Sequence, residues 1–391
     1  MKRSVLFAEL LLATIMVLGS MPMAAASEDP DKSSREPLTF TLSAERPFAA
    51  PPEPWIGRTL AFAEPGLEKA TGRTVPTFTR TIAARGKTYK YTMVGSDPFV
   101  KNAKKISVPL QIIPVRFEFD DGSVFDPTAP NLQCEGGGTT LNRVLESPVF
   151  QNFNYGDGAR QFVEEIRRLE FWTLTGAPGA INPSYSVRVT PKVLPTVRIK
   201  VVGFPTQSFA CGKVGFLDGN AWDGFMRTTL FPQLRKQGVT TQTFPLFLFR
   251  SVVLVDGDVS NCCIFGYHNA FNSGGIQTYG MATYDAGGHA EEFADVSVLS
   301  HELAEWYDDP LGNNATPPWG HTGQQDGCQA NLEVGDPLSG HLHKVIMPNG
   351  FTYHPQELAF FSWFFNQVPS MGINGVYSSG GTFVIPADLC H

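Results

Sequence analysis

The chain has 391 residues, 42% apolar and only 17% charged, with a formal net charge of −7. That composition excludes intrinsic disorder and leaves ample chain for a large core. The acidic balance, at pI near 5.6, leaves no electrostatic footprint for nucleic acid. All eight His lie between His268 and His391. Imidazole chemistry is thereby confined to the last third.

Met1-Lys2-Arg3-Ser4 is followed by an apolar run over residues 5–19 and by Met21-Pro22-Met23-Ala24-Ala25-Ala26. A basic start, a short apolar core and a small-residue end predict a signal peptide over residues 1–26. The expected product is secreted or periplasmic, with no membrane span after cleavage. Residues 27–75, rich in Pro, read as a leader or linker. Residues 76–391 read as one large domain whose active-site half covers about 244–391. Six Cys follow the signal: Cys134, Cys211, Cys262, Cys263, Cys328 and Cys390. In an exported protein they predict structural disulfides. A bond between the neighbours Cys262 and Cys263 would be strained, so each is expected to pair elsewhere.

A strand is predicted at Ile106–Phe119, closed by Asp120-Asp121-Gly122, and Pro109 and Pro114 mark it as an edge or bulged strand. Residues 157–173 have helical spacing, and short strands are expected at 185–190 and 196–203. A second helix spans 221–237, with Trp222, Phe225, Met226, Leu230 and Leu234 on one side. Asn220 is its expected cap and Gly238 its end. An apolar strand at 244–255 follows, then strands near 262–267 and 276–284. The expected fold class is α+β: a mixed, mostly antiparallel sheet packed on a helix.

That helix starts after Asp295, the expected N-cap, and is stopped by Pro310. At ~100° per residue, Glu305 falls ~40° from His301, Asp308 ~20° and Asp309 ~80°. Val296, Leu299, Leu303, Trp306 and Tyr307 gather on the opposite side. His301-Glu302-x-x-Glu305 differs by one residue from the H-E-x-x-H of zinc peptidases. There, ligands at i and i+4 meet one metal and the intervening Glu takes a proton from the attacking water. His301 and Glu305 are therefore candidate ligands and Glu302 the candidate catalytic base. Glu333 and Asp336 could each reach the metal; Glu333 is the preferred third ligand, with Asp336 as a partner orienting His301. Asp308 and Asp309 compete for the third position. Zn²⁺ is the expected cofactor, and the oxygen-rich set also suits Mn²⁺, Fe²⁺ or Ca²⁺. The bland alternative for such a helix is a solvated polar face.

His341-x-His343 suits a metal only on a strand and reads more simply as a surface loop. His289 and His321 lie in Gly-rich stretches, and His268 and His354 read as packing residues. No G-x-S-x-G, P-loop or G-x-G-x-x-G occurs.

Three segments in order, His301-Glu302-Leu303-Ala304-Glu305, Asp309-Pro310-Leu311-Gly312-Asn313 and Glu333-Val334-Gly335-Asp336, resemble the plant phosphate-induced protein 1/EXORDIUM family and its secreted bacterial relatives. The stretch 356–363 is similar to their Q-x-x-W region, and the resemblance covers roughly residues 250–370. It implies a zincin-like fold in an extracellular protein, with Glu rather than His at position 305 as a family trait. It implies no particular reaction. The residues themselves suggest an exported metal-dependent hydrolase acting on peptide or protein. A non-catalytic cell-wall or matrix protein with a structural metal is the alternative.

Overall fold

The strand at Ile106–Phe119 forms as expected, but it runs through the middle of a large sheet rather than along its edge. The computed structural model describes residues 37–45, 66–67, 72–130, 138–257, 262–285, 294–320, 328–388 and 390. The signal-peptide segment, most of the leader, Cys134, His289 and His321 lie outside the described residues. The sheet's elements are β1 (Thr39–Ser43), β2 (Ile106–Phe119), β3 (Val187–Val193), β4 (Val197–Val202), β5 (Phe244–Arg250), β8 (Gly266–Asn272) and β9 (Ile276–Tyr284), joined by the short strand Val124–Phe125. Between β5 and β8 the chain makes β6 (Val252–Val255) and β7 (Cys262–Ile264), which belong to a second, four-stranded sheet.

The order across the large sheet is β1-β4-β2-β5-β9-β8, with β3 beside the first half of β2. Every pairing along this path is parallel except the last, β9 with β8. The expected mostly antiparallel sheet is therefore corrected to a mostly parallel one with an antiparallel edge. Burial on both faces explains it. Leu246 and Leu248 of β5 face one core, while Phe247 and Phe249 face the other. The resulting continuous apolar run is the signature of a parallel strand covered on both sides.

Pro109 and Pro114 are tolerated in the central strand because the neighbours of β2 change there. On one flank β3 pairs with residues 106–112 and β4 with 115–119, so Pro114 falls in the gap between them. On the other flank β5 begins only at Leu110, just after Pro109. Neither proline interrupts a ladder that needs its missing N–H.

Two other expectations change. Residues 244–255 are two strands in different sheets, separated at Ser251, whose φ is +48°. Thr39–Ser43, inside the stretch read as a leader, is a sheet strand, and the compact unit is Pro37–His391.

Helices cover both faces. Phe162–Glu170 (α1) and Ser297–Asp308 (α3) share one core with Val108, Leu110, Ile112 and Leu246. A helical stretch beginning with Gly219–Phe225 (α2) and continuing to Gln237 fills the other core through Trp222, Met226, Leu230 and Leu234. Its cap is Asp218, which accepts from Ala221 N at 2.7 Å, rather than Asn220. Gly238 ends it at φ +93°, as expected. In α3, Trp306 stacks on Phe244 with ring centroids 3.9 Å apart. Each such fully buried side chain contributes roughly 1.5–3 kcal/mol, which anchors α3 against β8 and β9. No helix among the described residues is long and apolar enough to cross a membrane.

Cys328 bonds to Cys390, and Cys211 is also disulfide-bonded. Cys262 and Cys263 bond to each other, contrary to expectation. The peptide between them is cis, and their Cα atoms stand 3.0 Å apart.

Candidate metal centre

Every residue of α3 is buried, including the face that carries His301, Glu302 and Glu305. The solvated-face alternative is thereby excluded. Asp295 does not cap the helix; Val296 holds the N-cap position without a side-chain bond. Asp295 instead holds His354, Nδ1 to Oδ2 at 2.7 Å. The helix stops at Asp308 ahead of Pro310, as expected.

One turn of α3 brings His301 Nε2 to 3.0 Å from Glu305 Oε1. The loop after Leu332 then crosses this turn. Asp336 Oδ1 reaches 3.5 Å from His301 Nε2, and Gly335 N–H donates to Glu305 Oε1 at 3.1 Å. Only Gly can pass here: a Cβ on residue 335 would lie 2.5 Å from Cγ and Nδ1 of His301. The other ring nitrogen, Nδ1, stands 3.1 Å from Gln356 Oε1. Gln356 Nε2 donates to Gly335 O at 2.6 Å, which fixes the amide oxygen toward the ring. A carbonyl oxygen only accepts, so in the neutral ring Nδ1 carries the proton and the Nε2 lone pair is turned toward the carboxylates.

A second imidazole enters from the edge strand β8. His268 Nδ1 lies 3.5 Å from Glu302 Oε2 and 3.6 Å from Glu305 Oε2. Its Nε2 stands 3.0 Å from the carbonyl of Asp309. Sequence reading took His268 for a packing residue. The missed signal is Gly266 two residues earlier on the same strand face: a Cβ there would meet Glu302 Oε1 at 2.7 Å. Gln356 lies in an aromatic stretch, 55 residues beyond His301, where no local spacing marks it as a partner of the ring.

Two groups of three therefore have ligand atoms within 4.8 Å of one another: His301, Glu305 and Asp336, and His268, Glu302 and Glu305. Glu333, the expected third ligand, joins neither. Its Oε2 is 3.9 Å from His268 Nε2, and its Oε1 accepts from Asn331. Asp336, expected either to orient His301 or to serve as an alternative ligand, faces the His301 Nε2, and Gln356 holds the other ring nitrogen. Asp309 is taken up by the chain turn, accepting from the N–H groups of Asn313 and Asn314 at 2.9 and 2.8 Å. Asp308 pairs with the buried Arg167 of α1 at 2.7 Å and belongs to neither group. His343 contacts Ser379 and packs on Phe162, and His341 is exposed, so these two do not form a metal pair.

The electrostatics follow from crowding ionisable groups in a dry place. Burial alone would lower the His301 pKa, but Glu305, Glu302 and Asp336 raise it to about 10. His268 is likewise lifted to about 10, against burial, chiefly by Glu333 and Glu302. Burial opposes the charge on Glu305, yet His301, His268 and the Gly335 N–H hold its pKa below the usual value. Glu333 is pushed well above the ordinary range by burial and by the Glu305 charge. Glu302 Oε2 and Glu333 Oε2 are buried without a hydrogen-bond partner. Imidazole nitrogen, carboxylate oxygen and orphaned buried acceptors form a donor set that fits a divalent cation. These buried His, Glu and Asp groups could hold a metal ion.

No protein-family model, curated protein or solved structure matches the chain.

Proposed function

We propose that the protein is an exported, metal-dependent hydrolase with zincin-like, peptidase-type chemistry. The observation that carries this reading is the buried meeting of His301, Glu305 and Asp336, with the His301 ring fixed by Gln356. These three side chains would hold the cation, with Zn²⁺ the best fit to one imidazole and two carboxylates. A bound divalent cation polarises a substrate carbonyl and lowers the pKa of water at its open position. Glu302, next to His301 on the helix, takes the proton of the attacking water and passes it to the leaving group. Burial raises the pKa of Glu302, which suits a group that must both accept and return a proton. The resemblance to the EXORDIUM family and the signal-like N-terminus support an extracytoplasmic setting.

The test is metal analysis of the purified native protein together with a peptide-cleavage assay on wild type and Glu302→Gln. One tightly bound metal, and cleavage lost in the variant with that metal retained, is the expected result. A metal-free, folded wild type sinks the reading. A second reading, a non-catalytic extracellular protein with a structural metal, is favoured by the depth of the site, where Glu305 is 1% exposed and Asp336 0%. Metal retained without cleavage of any peptide library selects it.

A further inference from the structure

We infer that the cluster contains a second cation position, formed by His268 Nδ1 with one oxygen each of Glu302 and Glu305, and that filling it switches the hydrolase off. The inference rests on the proposed function, in which the first position lies at His301, Glu305 and Asp336.

Glu305 is the hinge of the arrangement. Its two oxygens face different imidazoles: Oε1 is 3.0 Å from His301, and Oε2 is 3.6 Å from His268. One carboxylate thus belongs to two groups, each closed by an imidazole and a second acid. The ring of His268 is set for the purpose. Its Nε2 faces the Asp309 carbonyl at 3.0 Å, and a carbonyl accepts only from N–H. Nε2 therefore carries the proton in the neutral ring, and the Nδ1 lone pair faces Glu302 and Glu305.

The independent sign of a missing ligand is Glu302 itself. The residue is 5% exposed, and its Oε2 makes no contact better than a long ion pair to His268 Nδ1 at 3.5 Å. A buried carboxylate oxygen left unsatisfied costs free energy that a cation at this point would recover. The strand backbone holds it there, because Gly266 passes so close that any Cβ would strike the Glu302 side chain.

The consequence follows from Glu302 serving in both places. With only the first position filled, its carboxylate is available to take a proton. With the second filled, the adjacent cation charge lowers the basicity of the whole Glu302 carboxylate, and proton transfer fails. Two cations sharing Glu305 repel each other, so the second binds more weakly than the first. Activity should rise and then fall as metal increases.

The experiment is equilibrium dialysis of the full chain against Zn²⁺, from below one equivalent to a large excess, with bound metal measured by mass spectrometry. The same samples are assayed on a reporter peptide. Wild type is expected to bind two Zn²⁺ per chain, the second at least tenfold more weakly, with cleavage falling through the second step. His268→Asn should bind one, with the tight step unchanged and no inhibition. Should that variant fail to fold by circular dichroism, Glu302→Gln tests the same position and should also bind one. Saturation of wild type at one Zn²⁺ overturns the second position but leaves the proposed function standing. No bound Zn²⁺ overturns both. Two Zn²⁺ in His268→Asn and in Glu302→Gln, or cleavage undiminished through the second step in wild type, also overturns the inference.

Discussion

Gln356 locks His301: its amide oxygen sits 3.1 Å from the ring Nδ1, and its amide nitrogen is spent on the Gly335 carbonyl. The side chain therefore cannot flip without breaking a second bond, and the ring can present only Nε2 to Asp336 and Glu305. The partner lies 55 residues downstream, outside the helix that carries the ligands.

Replacing this partner should weaken metal binding without unfolding the protein. For Gln356→Leu we expect a 10–100-fold loss of Zn²⁺ affinity, the usual effect of removing a group that orients a metal-binding His. Competition against a coloured chelator measures it. Unchanged affinity would mean that the ring is held by something else.

Gly335→Ala should be more damaging than an exposed Gly→Ala change. The new methyl would sit 2.5 Å from the His301 ring, and either the loop or the ring must move. Overpacking of this kind costs about 1–3 kcal/mol. A thermal melt should show a lower Tm, and metal analysis a reduced occupancy.

Arg167 is 1% exposed and lies between Glu170 and Asp308, at 3.2 and 2.7 Å. Arg167→Met would leave two acids facing each other in the core. Breaking a buried ion group in this way costs on the order of 3–5 kcal/mol. Urea unfolding of the variant is the measurement, and a loss below about 1 kcal/mol would contradict the expectation.

Arg160 is shared by Asp157, at 2.7 Å, and Glu165, at 2.8 Å. Asp157 keeps a lowered pKa, whereas burial and the neighbouring Asp157 charge push Glu165 up to about 7. A carboxyl raised above its unfolded value of 4.5 stabilises the fold fully below that pH. The contribution is lost as pH rises through about 7. Wild-type stability should carry this fall between pH 4.5 and 7, and Glu165→Gln should flatten it. Denaturant midpoints at half-unit pH steps would check it; an identical slope in the variant would refute the assignment.

Sequence alone determined what depends on neighbours a few residues apart. His301, Glu302 and Glu305 share a helix face because 3.6-residue periodicity puts them there, and Pro310 ends that helix wherever it lies. The strand at Ile106–Phe119 and the aromatic helix closed by Gly238 are equally local. Strand direction was not legible, because side chains alternate with the same period in parallel and antiparallel sheets; the crossovers that cover both faces of β5 decided it. Tertiary structure also decided which side chains meet in the buried cluster that could hold a metal ion. Asp308 has the right helical angle but is captured by Arg167, since a buried guanidinium requires its counter-ion. Asp336 rather than Glu333 stands beside His301 because close passage of Gly335 sets which acid of that loop meets the ring. His268 arrives from a strand edge over 30 residues away, where no local spacing distinguishes a ligand from a packing residue.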